Sequence, residues 1–427
     1  MKRLIFLTFI VSIIAFNPVE AQKKKSKKSK STSTETTQPN ATQPVQSTQP
    51  SSVTMNASLA NDNSLKEVEA KGVGLKRDDA LQDALRNAVS QAAGVAISSE
   101  TSMENFMVVR DAVSAKTEGY VASYNVIKET PFPDRYEIII QAKVSLNPLK
   151  ADMQLLSKAI GGVRFLVMYD ARKVKPEEKP YYDYAVERIN EFLAERKYRY
   201  IEKERASQLL KEAEGIYQNS ETNQESYVQH IGMKADAQFI ILISNISTSS
   251  RSEAFDTRTA TKVIIEAKAY DNCTAEGLGT IALESDWKSG MDAKSTMYEN
   301  IKEGVNKGIT KLLYLFNSYI GGWVNNGTPF ELRFYSIGTF RDFRELRNKM
   351  LSDSRFGGQI EIVSFDNYTK LNLTYKDRPD ELAYKILDFA DAIPEFKQKV
   401  LDVKLIYGRQ INFAPQKVKV QELEIKK

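Results

Sequence analysis

Asp78-Asp79-Ala80-Leu81-Gln82-Asp83-Ala84-Leu85-Arg86-Asn87-Ala88-Val89-Ser90-Gln91-Ala92-Ala93-Gly94 sets Ala80, Leu81, Ala84, Leu85, Ala88, Val89 and Ala92 on one helical face. Asp78 reads as the cap of this helix and Gly94 as its end. A face built mostly of alanine lets another backbone come close, so the helix is expected to lie directly on a sheet. An extended segment before it, Leu65 to Val73, supplies one strand. Gly119–Glu129 and Arg135–Leu146 supply two more, joined by Pro131-Phe132-Pro133-Asp134. In the last of these Tyr136, Ile138, Ile140, Ala142 and Val144 alternate with mostly polar residues, the period of a strand covered on one face. With a short helix around Glu104–Ala115, residues 64–160 read as a small α/β hairpin domain.

Outward from this segment, paired glycines mark the next boundaries. Gly161-Gly162 precedes strand-like Val163-Arg164-Phe165-Leu166-Val167-Met168, and Gly321-Gly322 closes a long helical pattern before the turn-rich Asn325-Asn326-Gly327-Thr328-Pro329. Within 161–327, Tyr182, Ala185, Val186, Ile189, Phe192 and Leu193 form one helical stripe. Tyr198–Ile201 reads as a short strand, and Glu202–Glu214 and Thr222–His230 as further helices. Ala237–Ile243 reads as a central strand, and Lys262–Tyr270 with Gly279–Trp287 as a meander. Met297, Ile301, Val305, Ile309, Leu312, Phe316 and Ile320 share one face of the closing helix.

Residues 328–415 read strand, helix, strand, strand, helix, strand. The strands centre on Leu332–Ile337, Gln359–Val363, Lys370–Tyr375 and Leu401–Tyr407. One helix carries Phe340, Phe343, Leu346, Arg347 and Met350; the other opens at Pro379, a favoured first helical position, and carries Leu382, Ile386, Phe389 and Ile393. A ferredoxin-like split βαβ is the natural topology. The expected fold class is α+β with α/β character: three small mixed domains over 64–160, 161–327 and 328–415, then a tail over 416–427. In the tail the alternation of Lys417-Val418-Lys419-Val420 favours an edge strand, but Gln421-Glu422 breaks the period.

A resemblance rests on Glu69-Ala70-Lys71-Gly72, on Asp79-Ala80 with Ala84 and Ala88, and on Gly94-Val95 with Ser98. It continues through Gly119-Tyr120-Val121 with Tyr124, Tyr136-Glu137-Ile138 and Ala142-Lys143-Val144. On these residues, about 65–146, the chain resembles the amino-terminal domain of flagellar assembly protein T. That family forms a periplasmic ring around the flagellar basal body, so the resemblance implies an envelope protein that assembles with others. In element order alone, 161–327 is similar to the middle domain of the same family and to the amino-terminal domain of the translocation protein TolB.

The start of the chain places the protein. Met1-Lys2-Arg3 is a short positive region, and Leu4 to Phe16 is an apolar run of about thirteen residues, below the roughly twenty that span a bilayer. Val19-Glu20-Ala21 has small residues where a signal peptidase reads, so residues 1–21 are expected to be a signal peptide cut between Ala21 and Gln22. A basic and Ser/Thr/Gln/Pro-rich linker then covers 22–63, expected to be disordered. The single cysteine, Cys273, is far from the cleavage point and can form neither a lipid anchor there nor an internal disulfide. The chain carries a net charge of +5; Lys2, Arg3 and Glu20 give +1, and six lysines with Glu35 give +5, which leaves −1 for residues 51–427. The basic excess therefore belongs to Lys23, Lys24, Lys25, Lys27, Lys28 and Lys30, which suit an anionic wall or membrane surface or a solvated spacer. A nucleic-acid protein would carry its excess on a folded face, so no nucleic-acid partner is expected.

Catalytic chemistry has little to build on. His230, the only histidine, sits before Gly232 near an expected helix end, where an imidazole favours the carbonyl terminus. Cys273 lies in Asp271-Asn272-Cys273-Thr274, a turn where a half-exposed thiol is expected. One His and one Cys exclude a His-rich or Cys-rich metal site, and no cofactor is expected. Asp170 ends the first strand of the middle segment, where α/β enzymes place carboxylates, but Arg172-Lys173 favour a salt-bridged loop. Gly72-Val73-Gly74 lacks the third glycine of a dinucleotide loop. Among the aromatic residues, Tyr181-Tyr182, Tyr198 and Tyr200 cluster as a sugar platform would, yet stripe positions such as Tyr182 suit a core better. Trp323, at a junction, is expected to pack two domains together.

The sequence therefore reads as an exported, non-lipidated, periplasmic or surface-associated scaffold or assembly protein without enzymatic activity. Its partners are expected to be envelope proteins or further copies of itself, met through sheet edges and domain faces. The alternatives are a glycan-binding module using tyrosines and the lysine leash, and, last, a hydrolase using Asp170.

Overall fold

The computed structural model describes residues 64–97, 105–217, 224–252, 259–290, 292–365 and 368–418. The expected signal peptide, its Ala21–Gln22 junction, the lysine leash and the tail beyond Val418 lie outside the described residues. The fold is α+β, with three sheets among the described residues.

The first sheet holds β1 (Leu65–Gly74), β2 (Val121–Pro131) and β3 (Tyr136–Ser145) in the antiparallel order β1-β3-β2. With it go α1 (Arg77–Ile97), α2 (Phe106–Ala115) and α3 (Leu146–Ile160). The alanine face of α1 is fully buried, and the helix rests on β1 with almost nothing between them. A Cβ added at Gly72 would stand 2.1 Å from the Ala80 carbonyl oxygen and 2.2 Å from the Ala84 nitrogen. Gly94 does not end α1, because Ala93 and Ala96 continue the buried face. α3 is an element additional to those expected, and Leu149, Met153, Leu156 and Ile160 mark its buried stripe.

The middle sheet runs β4 (Phe165–Tyr169), β5 (Phe239–Ser252), β6 (Thr259–Asp271), β7 (Glu276–Glu284), with the short β8 (Lys288–Ser289) beside β6. Between β4 and β5, which are parallel, the chain forms α4 (Lys179–Glu195), α5 (Lys203–Tyr217) and α6 (Gln224–Lys234). The expected strand at Tyr198–Ile201 is only a bridge from Tyr200 to Phe165. Leu166, Met168, Ile240 and Leu242 share a core with α5 and α6. Phe165, Val167, Phe239 and Ile241 point the other way, into a core continuous with that of the first sheet. Through this second core runs α7 (Ala293–Asn326), capped by Asp292, which accepts hydrogen bonds from the backbone nitrogens of Lys294 and Ser295. The expected break at Gly321-Gly322 is absent. Gly321 instead lets α7 cross α2, where a Cβ would meet the Ala112 carbonyl oxygen at 2.7 Å.

The last sheet contains β9 (Thr328–Tyr335), β10 (Phe356–Phe365), β11 (Tyr368–Tyr375), β12 (Leu401–Tyr407) and β13 (Gln410–Pro415), in the order β10-β11-β9-β13-β12. Helices α8 (Phe340–Leu351), α9 (Pro379–Ala390) and α10 (Pro394–Lys399) share a third core with one face of this sheet. Thr339 and Asp342 form a capping box at α8, and α9 opens at Pro379 as its sequence implies. The sheet has one strand more than the four expected. The fifth, β13, returns from a two-residue turn and inserts between β12 and β9, parallel to β9. The described residues belong to one compact unit, and no helix among them is long and apolar enough to cross a membrane.

Candidate interaction surface

The chemistry-bearing side chains singled out from the sequence are not brought together. Asp170 follows β4 and is buried, gripped at both oxygens by Arg172 through Nε and Nη2 at 2.9 Å each. That guanidinium lies over the Tyr227 ring, 3.7 Å from its centroid. The pair is the salt-bridged loop that Arg172 suggested. His230 is not at a helix end, since α6 continues through Gly232 to Lys234. Tyr182 and Tyr198 are core residues, so the tyrosine cluster offers no open platform at those two positions. Among the described residues no three acidic, histidine or cysteine side chains are placed to hold a metal ion.

Cys273 corrects its expectation: only 1 % of it is exposed. It lies beneath the turn between β12 and β13, where Gly408 has φ +53° and a Cβ would stand 2.7 Å from Cys273 Sγ. Burial pushes the thiol up to about 12. Essentially no thiolate forms near pH 8, so a disulfide exchange reagent should label Cys273 only as fast as this turn lifts or the chain unfolds. Labelling of the native protein as fast as that of the denatured chain would contradict this seating.

The same turn carries a buried charged contact that the sequence did not reveal. Arg409, at its tip, reaches into the middle sheet and makes a two-pronged pair with Asp271, Nη1 to Oδ2 at 2.6 Å and Nη2 to Oδ1 at 2.5 Å. Asp271 is 0 % exposed and Arg409 3 %. Tyr319 OH and Thr274 Oγ1 donate to the same carboxylate at 2.8 and 2.7 Å, and the Cys273 backbone nitrogen at 3.0 Å. Around the guanidinium stand the rings of Trp323 at 4.5 Å, Phe239 at 5.5 Å and Tyr319 at 5.8 Å. Burial works to lower the Arg409 pKa, but the Asp271 carboxylate outweighs it and the guanidinium stays charged. On the other side of the turn Tyr407 donates to the Ala237 carbonyl oxygen and accepts from Asn272 Nδ2 at 2.8 Å. Trp323 thus sits at a junction as expected, with Arg409 as its counterpart. These groups are consumed in holding the last sheet to the middle one. Their arrangement is a structural bolt with no open position for a substrate.

What remains for recognition is surface, and the sheet edges are guarded. Where two strands fall out of register at an edge, the additional residue lies on the outer strand. These additional residues are Ala122 and Ile127 on β2, Leu278 on β7, Val363 and two more within 357–359 on β10, and Lys404 on β12. Such bulges twist an edge and interrupt its hydrogen-bonding template. The outer side of β4 is partly filled by the Tyr200 segment, through Phe165 N to Arg199 O at 2.9 Å and Ile201 N to Phe165 O at 2.8 Å.

The faces are less uniform. On β3, Ile138, Ile140 and Ala142 are fully buried beneath α1. Opposite them on β2, Val126 pairs with Ile140 and Tyr124 with Ala142, on the same side of the sheet. Yet Tyr124 is 44 % exposed, and Val126 and the bulged Ile127 are exposed beside it. α1 covers β1 and β3 and stops short of β2, leaving an apolar shelf at its flank. At one end Arg77 of α1 spans the shelf to Glu129 of β2, with Nε 3.0 Å from Oε2. A second apolar corner, Phe340 against Phe365 at 5.9 Å, lies where α8 meets β10. Comparison with family models and with curated proteins returns no match for this chain.

Proposed function

We propose that this chain is a non-enzymatic scaffold or assembly protein of the bacterial cell envelope, exported to the periplasm or surface, and that it acts through protein–protein contacts. The observation that carries the reading is the shelf on β2. Tyr124 and Val126 have strand partners in the core, yet they stand open to solvent, and an exposed apolar face of this kind marks an interaction site. The resemblance of residues 65–146 to a ring-forming envelope family supports it, as does the last unit, read as a ferredoxin-like βαββαβ module with β13 inserted between β9 and β12. Bulged edges shift the expected mode of contact from strand addition to face packing.

The test is in-cell photo-crosslinking with a benzophenone amino acid at Tyr124 or Val126, and at Gln141 on the opposite face of the same sheet. Discrete protein adducts from 124 and 126 but not from 141 would support the reading. Equal smears from all three positions would overturn it, and so would the absence of protein adducts. If the chain then sediments with cell wall in a salt-sensitive way, glycan binding through the leash takes its place.

A further inference from the structure

Among the long edge strands, β1 alone has no bulge. Its ten residues pair with β3 in unbroken register, from Leu65 opposite Ser145 to Gly74 opposite Tyr136. Strands of this kind invite another strand. Their alternate residues carry backbone groups that the neighbour inside the sheet does not use. On β1, three alternate residues are met by side chains from α1. Val73 N donates to Asp83 Oδ2 at 3.0 Å, Asn87 Nδ2 donates to Lys71 O at 2.8 Å, and Gln91 Nε2 donates to Glu69 O at 3.3 Å. Asp83, Asn87 and Gln91 are spaced four apart, so they form one row along the helix. Asn87 Nδ2 also lies 3.4 Å from Asp83 Oδ2.

We infer that this row is a guard, a set of side chains standing in for a neighbouring strand, and that it prevents β1 of one copy from pairing with β1 of another. The second copy is the occupant favoured by charge. In an antiparallel register centred on Ala70, Glu69 of each copy faces Lys71 of the other, and Val68 faces Gly72. The other long edge strands are spoiled by their own bulges, whereas this one is regular and is closed from outside. The inference is independent of the proposed function.

The test is sedimentation velocity of the full chain carrying Asp83→Ala, Asn87→Ala and Gln91→Ala. Alanine is the strongest helix former, so α1 itself is not weakened. The variant is expected to form larger species than the parent, increasingly so with concentration. Adding Lys71→Glu sets like charges against each other and should return it to the parental size. If helical circular dichroism is retained and the triple variant sediments as the parent does at every concentration, the guard is refuted. Association that persists after Lys71→Glu would refute the β1–β1 register. Should the triple variant fail to fold, Asn87→Ala alone, at an exposed helix position, is read by the same two criteria.

Discussion

Arg409→Ala is expected to lower the unfolding free energy by about 3 kcal/mol, as measured by denaturant unfolding. Breaking a buried ion pair from one side typically costs about 3–5 kcal/mol, because the remaining charge is left without compensation. The lower end applies here, since Asp271 keeps Tyr319, Thr274 and the Cys273 nitrogen as donors. Arg409→Lys keeps the charge but loses the two-pronged geometry, so it should recover only part of the loss. The effect should also be local. With the tip lifted, Cys273 loses its cover and its labelling rate should rise in conditions where the parent is protected. A loss below about 1 kcal/mol, in the range of an exposed pair, would show that the bolt does not hold the two sheets together.

Gly72→Ala should be as damaging, by a different mechanism. The added methyl carbon points at the backbone of α1, at 2.1 and 2.2 Å from its nearest atoms, and a backbone cannot rotate aside as a side chain does. Overpacking usually costs about 1–3 kcal/mol, and at this contact the upper end or more is expected. Gly94→Ala, twenty-two residues on, supplies the control. Nothing lies within 4 Å of a Cβ there and the backbone is helical, so alanine should stabilise by about 1 kcal/mol. Opposite signs for the two substitutions would confirm that α1 lies directly on β1. Equal and small effects would show that the helix can move away at little cost.

The alanine face, the alternation of β3 and the stripes of α4 and α7 were legible because burial on one side leaves a period in the chain. Helix ends were read less well. Gly94 and Gly321-Gly322 looked like stops, and both are crossed. Gly321 admits a neighbouring helix, and such a glycine cannot be told from one that ends a helix without knowing what lies beside it. Gly94 is simply carried over by the buried Ala93 and Ala96. β13 was missed because Gln410–Pro415 is short and follows a tight turn, so it resembled an extension of the strand before it. The guard on β1 was half visible: the spacing of Asp83, Asn87 and Gln91 is plain, but as a solvated helix face it had no reason to be singled out.

The candidate site divides in the same way. Asp170 and Arg172 are two residues apart, and the salt-bridged loop could be anticipated. Asp271 and Arg409 are 138 residues apart, each in an ordinary turn, and nothing in either turn announces the other. The exposure of Tyr124 was also invisible, since β2 carries apolar residues like any covered strand. Periodicity is a local record of which side of an element is buried, and it set the order and the faces of these helices and strands. The partner of a charge, and the reach of a helix across a sheet, depend on water being excluded by rings and backbones from distant elements. Those were settled only when β5, α7 and the Arg409 turn came together.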